Sequence, residues 1–201
     1  MKFVKRILFL GLICCLGILN CYVSYAQEKY EGMCGEDVRW TCSDGILIVT
    51  GKGEMTSSPW MKKKDCWKGI RKVVISEGIT SICESAFSSV EVIYKYDFLK
   101  DGIQLPDSLE KIGKNAFQYN YRLKSVTIPK NVQVIESGAF ESNKSLQKVT
   151  IQEESCLTRI GEYAFSSCLE LEEMNLPASV NQIGEGAFGD CKKLKDIILP
   201  N

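Results

Sequence analysis

Residues 176–191 read Leu176-Pro177-Ala178-Ser179-Val180-Asn181-Gln182-Ile183-Gly184-Glu185-Gly186-Ala187-Phe188-Gly189-Asp190-Cys191. Inside this stretch lies the phrase Ile-x-x-x-Ala-Phe, which occurs five times and ends at Phe87, Phe117, Phe140, Phe165 and Phe188. The phenylalanines are 30, 23, 25 and 23 residues apart. A period near 23 residues marks a solenoid, in which each coil buries its apolar face only against its neighbours. Such a stack offers a long surface and few reactive groups, so binding is expected ahead of catalysis.

Working outward from each phenylalanine, apolar residues follow at +6, +9 and +11. The sets are Leu123/Val126/Ile128, Leu146/Val149/Ile151, Leu171/Met174/Leu176 and Leu194/Ile197/Leu199. In the longer unit the same template selects Ile93/Tyr96/Phe98 and leaves the surplus near Leu99 to Leu105 as a bulging loop. Ile70/Val73/Ile75 opens the array. The pattern predicts one short strand per coil. Pro129, Pro177 and Pro200 end it in three units, because proline cannot donate to a ladder. Gly113, Gly161 and Gly184 suggest a tight turn, and the Ala-Phe pair is expected on a short helical or 3₁₀ segment.

Position +3 after the phenylalanine holds Val90, Asn120, Asn143, Cys168 and Cys191. A buried side chain there must satisfy backbone groups of the turn entering the strand. Cys168 and Cys191 then stack as reduced rungs; a disulfide between coils is the alternative. Asn143-Lys144-Ser145 is formally a glycosylation acceptor, but its rung position predicts a buried, unmodified Asn143.

The N-terminus has the form of a secretory signal. Lys2, Lys5 and Arg6 precede the mostly apolar stretch Ile7 to Val23, and Ser24-Tyr25-Ala26 fits cleavage after Ala26. A membrane anchor is the competing reading, and the stretch is at the lower length limit for one. Lipidation of Cys21 is a further alternative, which Asn20 fits poorly. Cleavage leaves no membrane span and predicts a secreted or extracellular surface location.

The whole chain of 201 residues balances 25 basic against 25 acidic residues. Loss of residues 1–26 removes three basic residues and no acidic ones, giving −3. No basic surplus points to nucleic acid. The chain has no histidine, which removes the commonest general base and the usual zinc ligand. No metal, cofactor or catalytic residue is expected. Seven cysteines follow the signal: Cys34, Cys42, Cys66, Cys83, Cys156, Cys168 and Cys191, an odd number.

Residues 27–69 form a separate section. After a polar lead-in at 27–31, Val38–Cys42 and Ile46–Thr50 flank Ser43-Asp44-Gly45, a strong hairpin signal. Gly51-Lys52-Gly53 is expected to break the second strand, and Ser57-Ser58-Pro59-Trp60 to form a loop with an aromatic anchor. Trp40, Trp60 and Trp67 are expected to pack over the exposed end of the first coil, the alternative being a ligand-stacking role. The predicted organisation is a signal peptide (1–26), an N-terminal β-hairpin cap (27–69) and a repeat array (70–201) of five to six coils. The expected fold class is an α+β solenoid, a leucine-rich-repeat-like coil with one short strand per repeat.

The phrase at 176–191, with its weaker upstream copies, resembles the BspA-type leucine-rich repeats, also called the Treponema pallidum type. The segment from Cys34-Gly35 and Trp40 through Asp44-Gly45 to Met55 and Pro59-Trp60 resembles the small β unit that precedes such repeats in bacterial surface proteins. The resemblance implies a secreted or surface protein with an adhesive or protein-binding role, and no catalytic residue. The partner class it implies is a protein, with host extracellular matrix or surface proteins as the expected example. A structural spacer of a surface layer is the alternative. A remote third is a thiol enzyme using Cys66, whose neighbours Lys62, Lys63, Lys64 and Lys68 would lower its pKa.

Between the inward residues of each strand lie those expected to face solvent: Arg71 and Lys72; Tyr94, Lys95 and Asp97; Lys124 and Thr127; Lys148 and Thr150; Glu172, Glu173 and Asn175. Charge is expected to run from basic to acidic along this face, with Tyr94 as the aromatic anchor. A face that is merely solvated is the competing reading. After Leu199-Pro200-Asn201 no polar capping coil follows, so an apolar edge, a longer gene product or self-association through the last coil is expected.

Overall fold

The Ile-x-x-x-Ala-Phe phenylalanines line up in one column. The structure is a computed structural model that describes residues 29–89, 98–195 and 197–198. The expected signal segment, Cys21, Val90, Tyr94, Lys95 and Asp97 lie outside the described residues. Phe87 stacks on Phe117 at 5.2 Å between ring centroids, Phe117 on Phe140 at 5.3 Å, Phe140 on Phe165 at 5.2 Å and Phe165 on Phe188 at 5.7 Å. Their planes lie within 13° of parallel. Phe87 to Phe165 are fully buried. Small alanine before each ring lets the backbones close up. The amide of Phe117 donates to the Ala139 carbonyl at 2.8 Å, Phe140 to Ala164 at 2.7 Å and Phe165 to Ala187 at 2.7 Å.

The Ala-Phe segments are not helical. They are turns in which the residue two before each phenylalanine has a left-handed backbone: Ser85, Asn115, Gly138, Tyr163 and Gly186, with φ between 54° and 64°. A second left-handed residue follows two after it, at Tyr119, Ser142, Ser167 and Asp190. Alternating handedness keeps amide groups pointing along the stack, so neighbouring coils bond to each other where a helix would bond to itself. Gly113, Gly161 and Gly184 have no positive φ. A Cβ on any of them would collide with the backbone of the adjacent coil, so close approach explains these glycines better than turn handedness.

The coils carry short parallel strands on two faces, one face more than the sequence pattern suggests; the second face is a continuous ladder and the first a row of parallel pairs. The first face carries β4 (Lys72–Ile75), β6 (Ile103–Gln104), β8 (Ser125–Ile128), β10 (Lys148–Ile151), β12 (Met174–Asn175) and β14 (Ile197–Ile198). The second carries β5 (Ile79–Ile82), β7 (Lys111–Ile112), β9 (Val134–Ile135), β11 (Arg159–Ile160) and β13 (Gln182–Ile183). Two-residue strands are too short for period-2 alternation to register in sequence.

The strand beside β4 is β6, with Val73 opposite Ile103 and Val74 opposite Gln104. This corrects the placement of the long unit's strand at Ile93–Phe98. The surplus precedes the strand, and Phe98 and Leu99 are buried ahead of it. Gln104-Leu105-Pro106 matches the Thr127-Ile128-Pro129 ending of the next coil.

The cap begins earlier than its polar composition suggested. β1 (Tyr30–Met33) pairs antiparallel with β2 (Asp37–Ser43), which pairs with β3 (Ile46–Glu54) around the left-handed Asp44-Gly45 turn. Gly51 and Gly53 bend β3 without ending it. Gly51 sits at φ 121°, and a Cβ there would collide with the Asp37 carbonyl. Ile46–Val49 pair with β4 on the first face, and Gly53–Glu54 pair with β5 on the second, with a register shift between them. One cap strand therefore seeds both sheets. A 3₁₀ turn (Pro59–Lys62) and a short helix, α1 (Lys64–Gly69), connect β3 to β4.

The tryptophans pack as core. Trp60 is fully buried and stacks on Phe87 at 5.3 Å and 11°, so it heads the phenylalanine column. Its indole Nε1 donates to the Ala86 carbonyl at 3.0 Å. In later coils that acceptor is filled by a phenylalanine amide, so Trp60 supplies both the ring and the donor of a missing coil. Trp40 meets Trp60 edge-on, and Trp67 packs on Phe98 at 4.3 Å.

Candidate functional site

The first face is the candidate site, and buried rungs behind it tie successive coils together. Asn120 Nδ2 donates to the carbonyls of Phe87 and Phe117 at 3.0 and 2.7 Å. Asn143 repeats this one coil later, to Phe117 and Phe140 at 2.9 and 2.7 Å. Both are fully buried, so the formal acceptor at Asn143 has no room for a glycan. Cys168 and Cys191 take over the role as free thiols. Each Sγ donates to the phenylalanine carbonyl of the preceding coil, Phe140 at 3.3 Å and Phe165 at 3.1 Å. Burial pushes the Cys168 and Cys191 thiols up, which keeps their protons on the sulfur.

The rungs set equal spacing for the strands in front of them. Lys148 stands opposite Ser125 and Thr150 opposite Thr127 in β10 and β8. Lys148 also bridges to Glu173, which puts Asn175 beside Thr150. At the strand entries, the amide of Gln147 donates to the Lys124 carbonyl, Glu172 to Gln147 and Lys195 to Glu172. Lys124, Thr127, Lys148, Thr150, Glu172, Glu173 and Asn175 are all exposed on this one face. Lys72 is half-buried at its cap end.

Arg71 is used differently. Its Nη2 donates to the Asp44 carbonyl at 3.2 Å and its Nε lies 3.7 Å from Asp101 Oδ2, so it ties the cap turn to the long unit. With Tyr94, Lys95 and Asp97 outside the described residues, the neighbour of Val74 on this face is Gln104.

Sequence reasoning missed the cap end of the face. Ile46 and Ile48 of β3 stand opposite Lys72 and Val74 and are 37 % and 36 % exposed. The run Ile46-Leu47-Ile48-Val49 looks uniformly apolar. Its alternation becomes visible only in the structure, where Leu47 and Val49 are buried. The face therefore runs from an apolar zone (Ile46, Ile48, Val74), through a basic and hydroxyl zone (Lys124, Thr127, Lys148, Thr150), to acidic Glu172 and Glu173, and then to Lys195. The simple basic-to-acidic gradient is modified at both ends.

On the opposite face one carboxylate is shared between cations of both neighbouring coils. Glu136 binds Lys111 at 3.0 Å and Arg159 at 2.9 Å, one coil to either side. Burial opposes its ionisation, but the two cations outweigh this and hold the carboxyl below its ordinary value.

Cys66 is not activated by the lysines around it. It is buried and donates a hydrogen bond to Cys42; that bond, burial and the nearby Cys42 sulfur all push its pKa up, against the expected lowering by lysines. Among the described residues no cluster of three or more histidine, cysteine or acidic side chains is placed to hold a metal. Nor is any helix among them long and apolar enough to cross a membrane.

A family model described as a BspA type leucine rich repeat region matches in six copies, over residues 64–154 and 93–201. No curated protein matches. Among solved structures, a leucine-rich repeat protein from Bacteroides ovatus is 18% identical with a TM-score of 0.59, over 89% of this chain and 54% of that one. The T. pallidum leucine-rich repeat protein is 24% identical with a TM-score of 0.56, over 79% and 66%. A leucine-rich repeat protein from Eubacterium ventriosum is 22% identical with a TM-score of 0.54, over 86% and 44%. The chain thus spans between 44% and 66% of the length of these three structures, and at such identities the likeness is one of fold.

Proposed function

The chain belongs to the BspA-type leucine-rich repeat family, and from that premise we propose that it is an extracellular protein-binding module. The partner seats on the first sheet face, and the class of partner is a host matrix or surface protein. One observation carries this reading. The two faces are built alike yet treated differently: the second ties its half-buried Glu136 carboxylate to two cations, while the first leaves Lys124, Thr127, Lys148, Thr150, Glu172 and Glu173 exposed in register. The apolar zone at Ile46 and Ile48 adds desolvation energy at one end, and the alternating charges further along set orientation and register.

Binding of the purified chain to immobilised matrix proteins tests the reading. A saturable interaction that weakens about tenfold in Lys124→Glu/Lys148→Glu supports it, since removing close charge complementarity costs on the order of 1–2 kcal/mol. Saturable binding unchanged by this pair of reversals overturns the assignment of the face. Absence of any saturable partner favours the spacer reading.

A further inference from the structure

Three pairs of the seven cysteines lie near one another, but they are not equivalent. The Cys168 and Cys191 thiols each donate to a different phenylalanine carbonyl, so joining them would strip donors from two inward carbonyls of the stack. Cys34 and Cys83 are near enough to influence each other electrostatically, and burial first pushes both up, to about 12 and about 11, with no hydrogen bond joining them. Cys42, on β2, and Cys66, on α1, differ from both. Each is only 3% exposed, both line one cleft, and the Cys66 thiol lies within hydrogen-bonding reach of the Cys42 sulfur. A cleft of about 760 Å³ opens beside them, lined by both cysteines with Tyr30, Asp44, Asp65 and Arg71.

The element that carries Cys66 needs a tether. Helix α1 has six residues, and its N-cap Lys63 makes no side-chain capping bond. A helix this short is not stable alone. It nevertheless places Trp67 against Phe98 and leads directly into β4, the first repeat strand.

We propose that Cys42 and Cys66 are a dithiol–disulfide site that locks helix α1 onto the cap sheet when the chain meets an oxidising environment. Both sulfurs border the cleft, so either can open the exchange, Cys42 for instance. Its thiolate attacks a low-molecular-weight disulfide such as oxidised glutathione, and one glutathione thiolate leaves. Cys66 then releases its proton to water and attacks the Cys42 sulfur of the mixed disulfide, expelling the second glutathione thiolate. The pair loses two electrons and one external disulfide gains them. Cys156, exposed, stands outside all three pairs.

The site depends on the export reading only for its source of oxidant in the cell. In a glutathione buffer the bridge must form whether or not the chain is exported, so the two ideas fail separately. The purified chain is equilibrated in oxidised and reduced glutathione, quenched with N-ethylmaleimide and digested with trypsin. The expected product joins the peptide Trp40–Lys52 to Asp65–Lys68, at least about tenfold above any other cysteine pair, with Tm raised by roughly 5 °C or more. That rise disappears in Cys42→Ser/Cys66→Ser and persists in Cys156→Ser. Recovery of both peptides as single maleimide adducts, under conditions that glutathionylate Cys156, overturns the proposal. A bridge that forms without raising Tm contradicts the locking role.

Discussion

Asn143 shows how one side chain holds two coils at once. Its amide nitrogen satisfies the carbonyls of Phe117 and Phe140, which face inward where water does not reach. Substitution by alanine takes one of two donors from each, since Asn120 still donates to Phe117 and the Cys168 thiol to Phe140; each hydrogen bond lost costs roughly 0.5–1.5 kcal/mol net. Asn143→Ala should therefore lose about 1–3 kcal/mol in urea unfolding. Asn143→Cys should lose markedly less, because Cys168 fills the same position in the next coil through a single thiol donor. Equal losses for the two variants would show that the rung acts by volume and not by hydrogen bonding. The chemistry of this position was legible in the sequence: Asn120, Asn143, Cys168 and Cys191 share one offset from their phenylalanines, and a polar residue repeating among buried ones must be a backbone donor. Trp60 was half legible. Its anchoring role followed from its loop, but its donation to Ala86 did not, because a side chain replacing a backbone amide leaves no periodic trace.

At the scale of the element, the second sheet depends on charge as well as on its short backbone ladder. Glu136 is held ionised below the usual carboxylate range by Lys111 and Arg159, against the opposing effect of burial. A depressed acid contributes stability above its unfolded pKa, about 4.3, and loses that contribution as pH falls through the lower folded value. Partly exposed pairs contribute little, so Glu136→Gln should lower Tm by only about 2 °C at pH 7. The difference between variant and parent should close as pH drops below about 4. A gap that stays constant to pH 3 would assign the effect to packing. Element existence was legible where the strand has four residues, as in Ser125–Ile128 and Lys148–Ile151, and in the Asp44-Gly45 hairpin. The two-residue strands, the alternating handedness around each phenylalanine and the early strand β1 were not. The first two are set by contacts between coils, and β1 is an edge strand whose Glu31, Gly32 and Met33 are exposed. The long unit misled for a different reason. Ile93, Tyr96 and Phe98 satisfy the apolar template, whereas the strand that pairs with β4 is marked by the proline after Leu105.

For the whole molecule, the column from Trp60 to Phe188 makes cap and coils one folding unit with nearest-neighbour coupling. Ile183 is 40% exposed, and Phe188 and Leu194 are only partly buried, because no later coil among the described residues covers them. The candidate face was legible as a list of outward residues, and Lys124, Lys148, Glu172 and Glu173 do share it. Its apolar end at Ile46 and Ile48 was not, because it belongs to a cap strand that only the fold places beside the repeats. The face can present an ordered row of groups only if the stack behind it is continuous. Amide hydrogen exchange on the parent chain and on Phe140→Ala measures that continuity directly. The account predicts strong protection at Phe87, Phe117, Phe140 and Phe165 in the parent. In the variant, whose truncated ring costs about 3–5 kcal/mol, protection should fall at Phe117 and Phe165 and less at Phe87. Unequal protection of these amides in the parent, or a loss confined to residue 140, would contradict the single shared spine.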